Sequence, residues 1–266
     1  MYKTIELNTL DSVMQIVTDQ QYNIQKRRHR SSFIYRGLSK DTYNLSTSLQ
    51  RNCKHLHGEL ECSILRNFTK YAITEDPTLN TSVWKQMILG QHHGLPTRLL
   101  DWTYSPLVAL HFACSCDTLL DLEKDNGVVW RIDIEEINSL LPARYRKVLN
   151  KNDAFLFTVD MLDLTTNSLE TYDSEMASNS MVLVEPPSID QRIINQYSYF
   201  SITPMEMLSI EDFLNNHTQK TVKYVISKDL KWRIRDMLDQ LNLNERIMYP
   251  GLDGLSTWLK RHYYVK

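Results

Sequence analysis

Twelve consecutive residues, Gln91-His92-His93-Gly94-Leu95-Pro96-Thr97-Arg98-Leu99-Leu100-Asp101-Trp102, constrain this chain more than any other stretch. They gather two imidazoles, an amide, a guanidinium, a carboxylate and an indole around one glycine and one proline. Trp84, Met87, Ile88 and Gln91 recur at helical spacing, which predicts a helix from about Ser82 to His93, ended by Gly94 in a left-handed cap. Pro96 stops any continuation and pushes Leu95 towards extended backbone. Ser105 then caps a second helix with Pro106 in its first turn and Leu107, Leu110, Ala113 and Cys114 on its apolar face. The loop between is expected to be clamped by both helices, with Asp101 paired to Arg98 or to a histidine. Ionisable groups held in this way are frequent at functional sites, and structural ion pairs use them too.

A chain of 266 residues is ample for a sizeable core in one domain spanning 1–266. Its hydrophobic content of 42% and charged content of 23% are those of an ordinary globular protein. A net charge of −2 argues against a generally basic nucleic-acid binder but allows a local basic patch. No apolar run reaches the roughly 18 residues of a membrane span. Met1-Tyr2-Lys3-Thr4-Ile5-Glu6 lacks the apolar core of a signal peptide, so a cytoplasmic location is expected, with no membrane partner. The four cysteines show no zinc-type spacing, which predicts free thiols and no metal site.

Along the rest of the chain, Leu10, Val13, Met14 and Val17 mark a helix capped by Thr9. Lys26-Arg27-Arg28-His29-Arg30 is either a solvated basic turn or a grip for phosphates. Phe33-Ile34-Tyr35-Arg36-Gly37 reads as a short strand. In it Arg36 could hold a phosphate or carboxylate, and Gly37 would let backbone approach a ligand. The hydroxyls of Ser46-Thr47-Ser48 cap the next segment or touch a ligand. Leu60, Ile64, Phe68 and Tyr71 define the inner face of a further helix. Val128, Trp130, Ile132 and Ile134 share one face of a strand. Residues 135 to 180 are expected to form a long surface loop. Met181 to Val184 is a buried strand candidate. Between Arg192 and Ile202 the apolar spacing changes from helical to alternate around Gln196, placing Gln196 at a junction whose side chains enter a cleft. A strand at Val222 to Ile226 and helices through Leu230 to Leu241 and Leu255 to Leu259 complete the pattern. Strands and helices mix without a regular repeat, which predicts an α+β fold with a mixed or antiparallel sheet flanked by helices.

No Gly-x-Gly-x-x-Gly follows a strand, and no phosphate loop, His-Glu-x-x-His or Gly-x-Ser-x-Gly is present, so Rossmann hydride transfer, P-loop hydrolysis and zinc proteolysis have no support. Phe33 to Gly37, Leu45 to Arg51, Gln91 to Thr103, Gly127 to Trp130, Arg192 to Phe200 and Tyr249 to Gly254 together resemble the FRG domain family. The resemblance runs over roughly residues 25 to 260. A weaker similarity joins these residues to the ADP-ribosyltransferase fold, in which an early aromatic-Arg-Gly or His-Gly triplet meets NAD, hydroxyl residues follow, and a glutamate comes later.

That similarity implies an ADP-ribosyltransferase-like core. Arg36 would meet the NAD phosphates or ribose, the Gly37 backbone the nicotinamide carboxamide, and Ser46 to Ser48 would be the hydroxyl motif. The hydroxyls come unusually soon after Arg36. Gln196 stands nearest to the place of the glutamate, so Asp101 or Glu185 would have to supply an anion. The reading that follows is an NAD-dependent ADP-ribosyltransferase acting as a toxin or antiviral effector. In it Arg36 and Arg98 neutralise pyrophosphate, and Thr97 adds to the NAD site. His92 or His93 serves as general base, Asp101 orients that base or faces the sugar cation, and Tyr35 and Trp102 stack on a ring. The acceptor would be a macromolecule. If it is RNA, Lys26, Arg27, Arg28 and Arg30 would meet its backbone, and an antitoxin protein is a further candidate partner. The competing readings are hydrolysis of NAD or nucleic acid by the same cluster, and a binding module without catalysis.

Overall fold

The computed structural model describes residues 1–188 and 190–266. Its strands, in chain order, are β1 (Lys3–Leu7), β2 (Tyr22–Asn23), β3 (Arg28–His29), β4 (Phe33–Leu38), β5 (Leu99–Thr103), β6 (Gly127–Asp133), β7 (Val182–Val184), β8 (Ser198–Ile202) and β9 (Val222–Ile226). β2 and β3 form a separate ribbon. The others make one sheet in the order β1-β9-β6-β4-β5-β8-β7. β1 and β9 are parallel, and the remaining pairs of this sheet are antiparallel. Helices flank the sheet, and the fold is α+β as expected.

β6 is an interior strand, between β9 and β4, and every one of its residues is buried. Val128, Trp130 and Ile132 pack with Ile34, Leu100 and Trp102 on one face, while Val129 joins Phe33, Tyr35 and Ala109 on the other. Ile134 does not continue the strand. The Asp133 carboxylate accepts from the backbone N–H groups of Glu135 and Glu136 and starts a helix there.

The helices around the central motif follow the sequence. Ser82 caps Val83–His92, Gly94 ends it at a φ of +83°, and Ser105 caps Pro106–Ala113. What lies between them is not wholly loop, because Leu99–Thr103 is β5. A short apolar run interrupted only by Asp101 carries no period that separates strand from loop.

Two further expectations are corrected. Residues 135 to 180 are mostly helical, in the segments Ile134–Ser139, Ala143–Lys151, Val159–Thr165 and Leu169–Met176. The polar residues that suggest a loop include their caps: Thr158 accepts from the Met161 N–H and Ser168 from that of Thr171. Tyr145, Leu149, Leu162 and Tyr172 carry these helices onto a core with Trp84 and Leu99. In the helix His57–Ala72, the buried positions are Glu61, Leu65 and Thr69, whereas Tyr71 is 71% exposed. An ion pair of Glu61 with the buried Arg98 accompanies this orientation, and apolar periodicity cannot anticipate such a pair.

The helix Pro106–Ala113 lies on the sheet with its backbone touching two strands. A methyl group at Gly37 would come within 1.9 Å of the Ala109 carbonyl oxygen, and one at Gly127 within 2.4 Å of that of Ala113. Glycine is required at both places so that the helix can approach. The same helix meets an ionic cluster through His111: Arg261 donates to Glu245 at 2.8 Å and to Asp239 at 2.7 Å, and Arg235 joins Glu245 to the Nδ1 atom of His111. Burial pushes the Glu245 carboxyl up, but the hydrogen bonds and charges of Arg261 and Arg235 outweigh it and hold the group down at about 2.

Gly37→Ala should lower stability by at least about 1–3 kcal/mol through overpacking, read from the midpoint of urea unfolding. Gly94→Ala, with open space around it, should lose only about 1–2 kcal/mol for its positive φ. Because Glu245 is depressed in the folded state, its stabilising contribution is present above the unfolded carboxyl value and lost as the pH falls towards 2. Urea midpoints measured between about pH 5 and pH 2 should therefore fall for the wild type, with a shallower dependence in Glu245→Gln.

Candidate active cleft

β4 is paired with β6 along all its residues, yet it meets β5 only at Tyr35 and Thr103. Beyond that point the two strands part. Arg36, the next residue of β4, reaches across the gap: its Nη1 donates to the Asp101 carbonyl oxygen at 2.6 Å and lies 3.5 Å from the Asp101 carboxylate. Its Nε is buried without a partner. Burial lowers the Arg36 pKa, opposed by Asp101 and reinforced by the neighbouring Arg51, and an arginine so placed still carries its charge.

A cavity of about 190 Å³ opens at this gap, lined by Arg36, Gly37, Asp101, Phe112, Arg192 and Gln196 among others. A shallower groove of about 580 Å³ shares Arg36, Gly37 and Phe112 with it and continues past Tyr43, Ser46 and Arg51. Together they reach the size of ordinary small-molecule sites, about 300–1,000 Å³. Arg36, Arg51 and Arg192 give the combined space three guanidinium groups, a setting that suits a ligand carrying phosphates.

Asp101 is oriented from behind. Gln91 donates its amide N–H to the two carboxylate oxygens at 3.2 and 3.3 Å, and its own oxygen accepts from the Thr97 hydroxyl at 2.5 Å. The partners of Asp101 are thus Arg36 and Gln91, in place of the expected Arg98 or histidine. Gln196 ends the helix Gln191–Gln196, as its place at the change of periodicity predicts, and Tyr197 turns the chain at a φ of +47° into β8. The Gln196 amide donates to the Met248 carbonyl at 2.9 Å, and the Gln196 carbonyl accepts from the Thr103 hydroxyl at 2.7 Å. These bonds tie that wall of the cleft to β5.

Other expected site residues lie elsewhere. Arg98 is 4% exposed and held by Glu61 and Asp173. Burial works against its charge, and the two carboxylates more than compensate, so its pKa is raised and it has no free face for pyrophosphate. Tyr35 and Trp102 do border the cavity, but as residues they are only 1% and 2% exposed, packed in the core, and present no open face for a ligand to stack on. The Trp102 indole N–H donates instead to Ser201 at 3.0 Å. His92 pairs with Asp190 at 2.9 Å, His93 is exposed, and neither they nor Glu185 line the cleft or the groove. Thr97 is buried, and Ser48 exchanges hydrogen bonds with its backbone, so both brace the motif. Of the hydroxyl cluster Ser46 alone reaches the groove, while Thr47 is the cap of Ser48–Cys53. Lys26, Arg27, Arg28 and Arg30 are exposed on the β2–β3 ribbon and line neither space.

Gln91, Phe112, Arg192 and Arg51 are the site residues that sequence reasoning missed. Arg192 precedes Gln196 by one helical turn, and that spacing alone puts it on the same face. Phe112 sits on a helix apolar nearly all round, where pattern cannot separate a cleft residue from a core one.

Among the described residues all four cysteines are free, no helix is long and apolar enough to cross a membrane, and no three His, Cys, Asp or Glu side chains are grouped to hold a metal. Arg98→Met should lower stability by about 3–5 kcal/mol in urea unfolding, because it strands Glu61 as a buried charge.

The family model of the FRG domain matches residues 31–121. No curated protein and no solved structure gives a significant match. The matched segment contains β4, the motif from Gln91 to Trp102 and the helix Pro106–Ala113, whereas Arg192 and Gln196 lie outside it. The part of the chain that carries Arg36 and Asp101 is thus the part that is similar to the FRG domain.

Proposed function

We propose that the cleft binds NAD and that the chain is an ADP-ribosyltransferase-like enzyme, a toxin or antiviral effector that modifies a macromolecular acceptor. The observation that carries this reading is the Arg36–Asp101 pair at the parting of β4 and β5, which sets a cation and a carboxylate at one small cavity. The cavity would take the nicotinamide end of the dinucleotide. The groove beside Arg36 and Arg51 would take its pyrophosphate, in place of the role first expected of Arg98.

The chemistry asked of such a site is heterolysis of the bond between the ribose C1′ and the nicotinamide nitrogen. Nicotinamide leaves with the bonding pair, and the sugar becomes transiently cationic. Asp101 supplies the facing negative charge, held in place by Gln91 and Arg36. An acceptor heteroatom then forms the new bond to C1′ and gives up its proton. Gln196, a neutral amide, would orient a ribose hydroxyl. Asp101 is 54% exposed, which favours hydrolysis as the second reading, since water could reach the same carbon.

Incubation of the full chain with NAD labelled in its adenylate half, together with protein and RNA fractions, should release nicotinamide and leave label on a macromolecule. Release without transfer would establish the hydrolase, and neither would leave a binding module. Arg36→Ala and Asp101→Asn, both folded by circular dichroism, should each slow nicotinamide release by about 10²–10³-fold. Wild-type rates in both variants would overturn the assignment.

A further inference from the structure

The β2–β3 ribbon is a strongly basic feature that the cleft does not use. Lys26, Arg27, Arg28, His29 and Arg30 are all exposed. Among the described residues none of them has a carboxylate within 4 Å, although other arginines of the chain are taken up in ion pairs. Asp19, close before the ribbon in sequence, is itself bound to Arg131 at 2.6 Å.

The ribbon is built, not frayed. Arg30 donates its backbone N–H to the Gln21 carbonyl at 2.8 Å, and Ser31 donates to the Gln20 side chain at 2.5 Å. At the tip, the Lys26 N–H donates to the Asn23 side chain at 2.8 Å, and Arg27 adopts a φ of +49°. This turn holds Ile24 outwards at 83% exposure, with Tyr22 at 55%. An aliphatic side chain at a protruding tip, surrounded by uncompensated cations, gains nothing from water.

From this juxtaposition we infer, against the expectation from sequence that the chain has no membrane partner, that the β2–β3 hairpin docks the protein on an anionic lipid surface. Ile24 enters the boundary between headgroups and acyl chains, and Lys26, Arg27, Arg28 and Arg30 meet the lipid phosphates. A single-stranded nucleic acid would satisfy the same cations, but it would look for a ring to stack on. Ile24 offers none, and the Tyr22 ring is set edge-on to His29 at 5.2 Å. The chain as a whole is slightly acidic, so an anionic membrane would draw it in hairpin first. This surface is independent of the chemistry proposed for the cleft.

The test is flotation of the full chain with vesicles of phosphatidylcholine alone and of phosphatidylcholine mixed with phosphatidylserine. The chain should float only with the anionic vesicles, and salt should release it. Ile24→Asn should lower partitioning at least about tenfold, the loss expected for one buried aliphatic side chain. Arg28→Ala should lower it about fivefold. All these positions are exposed, so circular dichroism should not change. Failure to float with anionic vesicles would overturn the inference. So would an Ile24→Asn variant that partitions like the wild type, or binding to a labelled single-stranded RNA that needs the cations but not Ile24.

Discussion

The Arg36 guanidinium donates to the Asp101 carbonyl at the point where β4 and β5 stop pairing. Strands that part leave backbone groups which must find other partners, and a gap in the middle of a sheet would ordinarily be closed by packing. Here one charged side chain spans it. The bridge satisfies a carbonyl of β5 and brings the Asp101 carboxylate near a positive charge, and a cavity remains beside it. The cleft is a consequence of how the sheet is built.

The surroundings make that gap permanent. On one face of β4 the helix Pro106–Ala113 rests against Gly37 so closely that no side chain fits between them. The same helix presents Phe112 to the cleft, and its His111 joins the ionic cluster of Arg235, Glu245 and Arg261. Behind β5, Arg98 is locked between Glu61 and Asp173, and Thr97 fixes the orientation of Gln91. The two arginines nearest the motif have thus divided the work. Arg98 is buried and structural, whereas Arg36 keeps an unpaired Nε at the cavity.

Much of this was legible in the sequence where a local rule decides. Ser82, Gly94, Ser105 and Pro106 placed two helices through capping, and the change of spacing at Gln196 placed a helix-to-strand junction. Arg36, Gly37, Asp101 and Gln196, singled out from separate stretches of the sequence, line one cavity, whereas His92 and His93 do not. What could not be read depends on partners far away in sequence. Arg98 looks like a ligand-binding arginine until Glu61 is brought beside it, 37 residues earlier. Tyr35 and Trp102 have the composition of a stacking pair, but strand alternation cannot say that both faces of their sheet are covered. The helices Val159–Thr165 and Leu169–Met176 were hidden because their caps, Thr158 and Ser168, are residues of the kind that also make loops.

On the proposed reading, Arg36 and Asp101 belong to one nucleotide-binding cleft at the parting of β4 and β5. Its most direct test is a crystal structure of the full chain soaked with a non-hydrolysable NAD analogue. A phosphate oxygen should lie within hydrogen-bond distance of the Arg36 guanidinium, and the nicotinamide ribose beside the Asp101 carboxylate. An analogue bound elsewhere, with the space between Arg36 and Asp101 left empty, would contradict it.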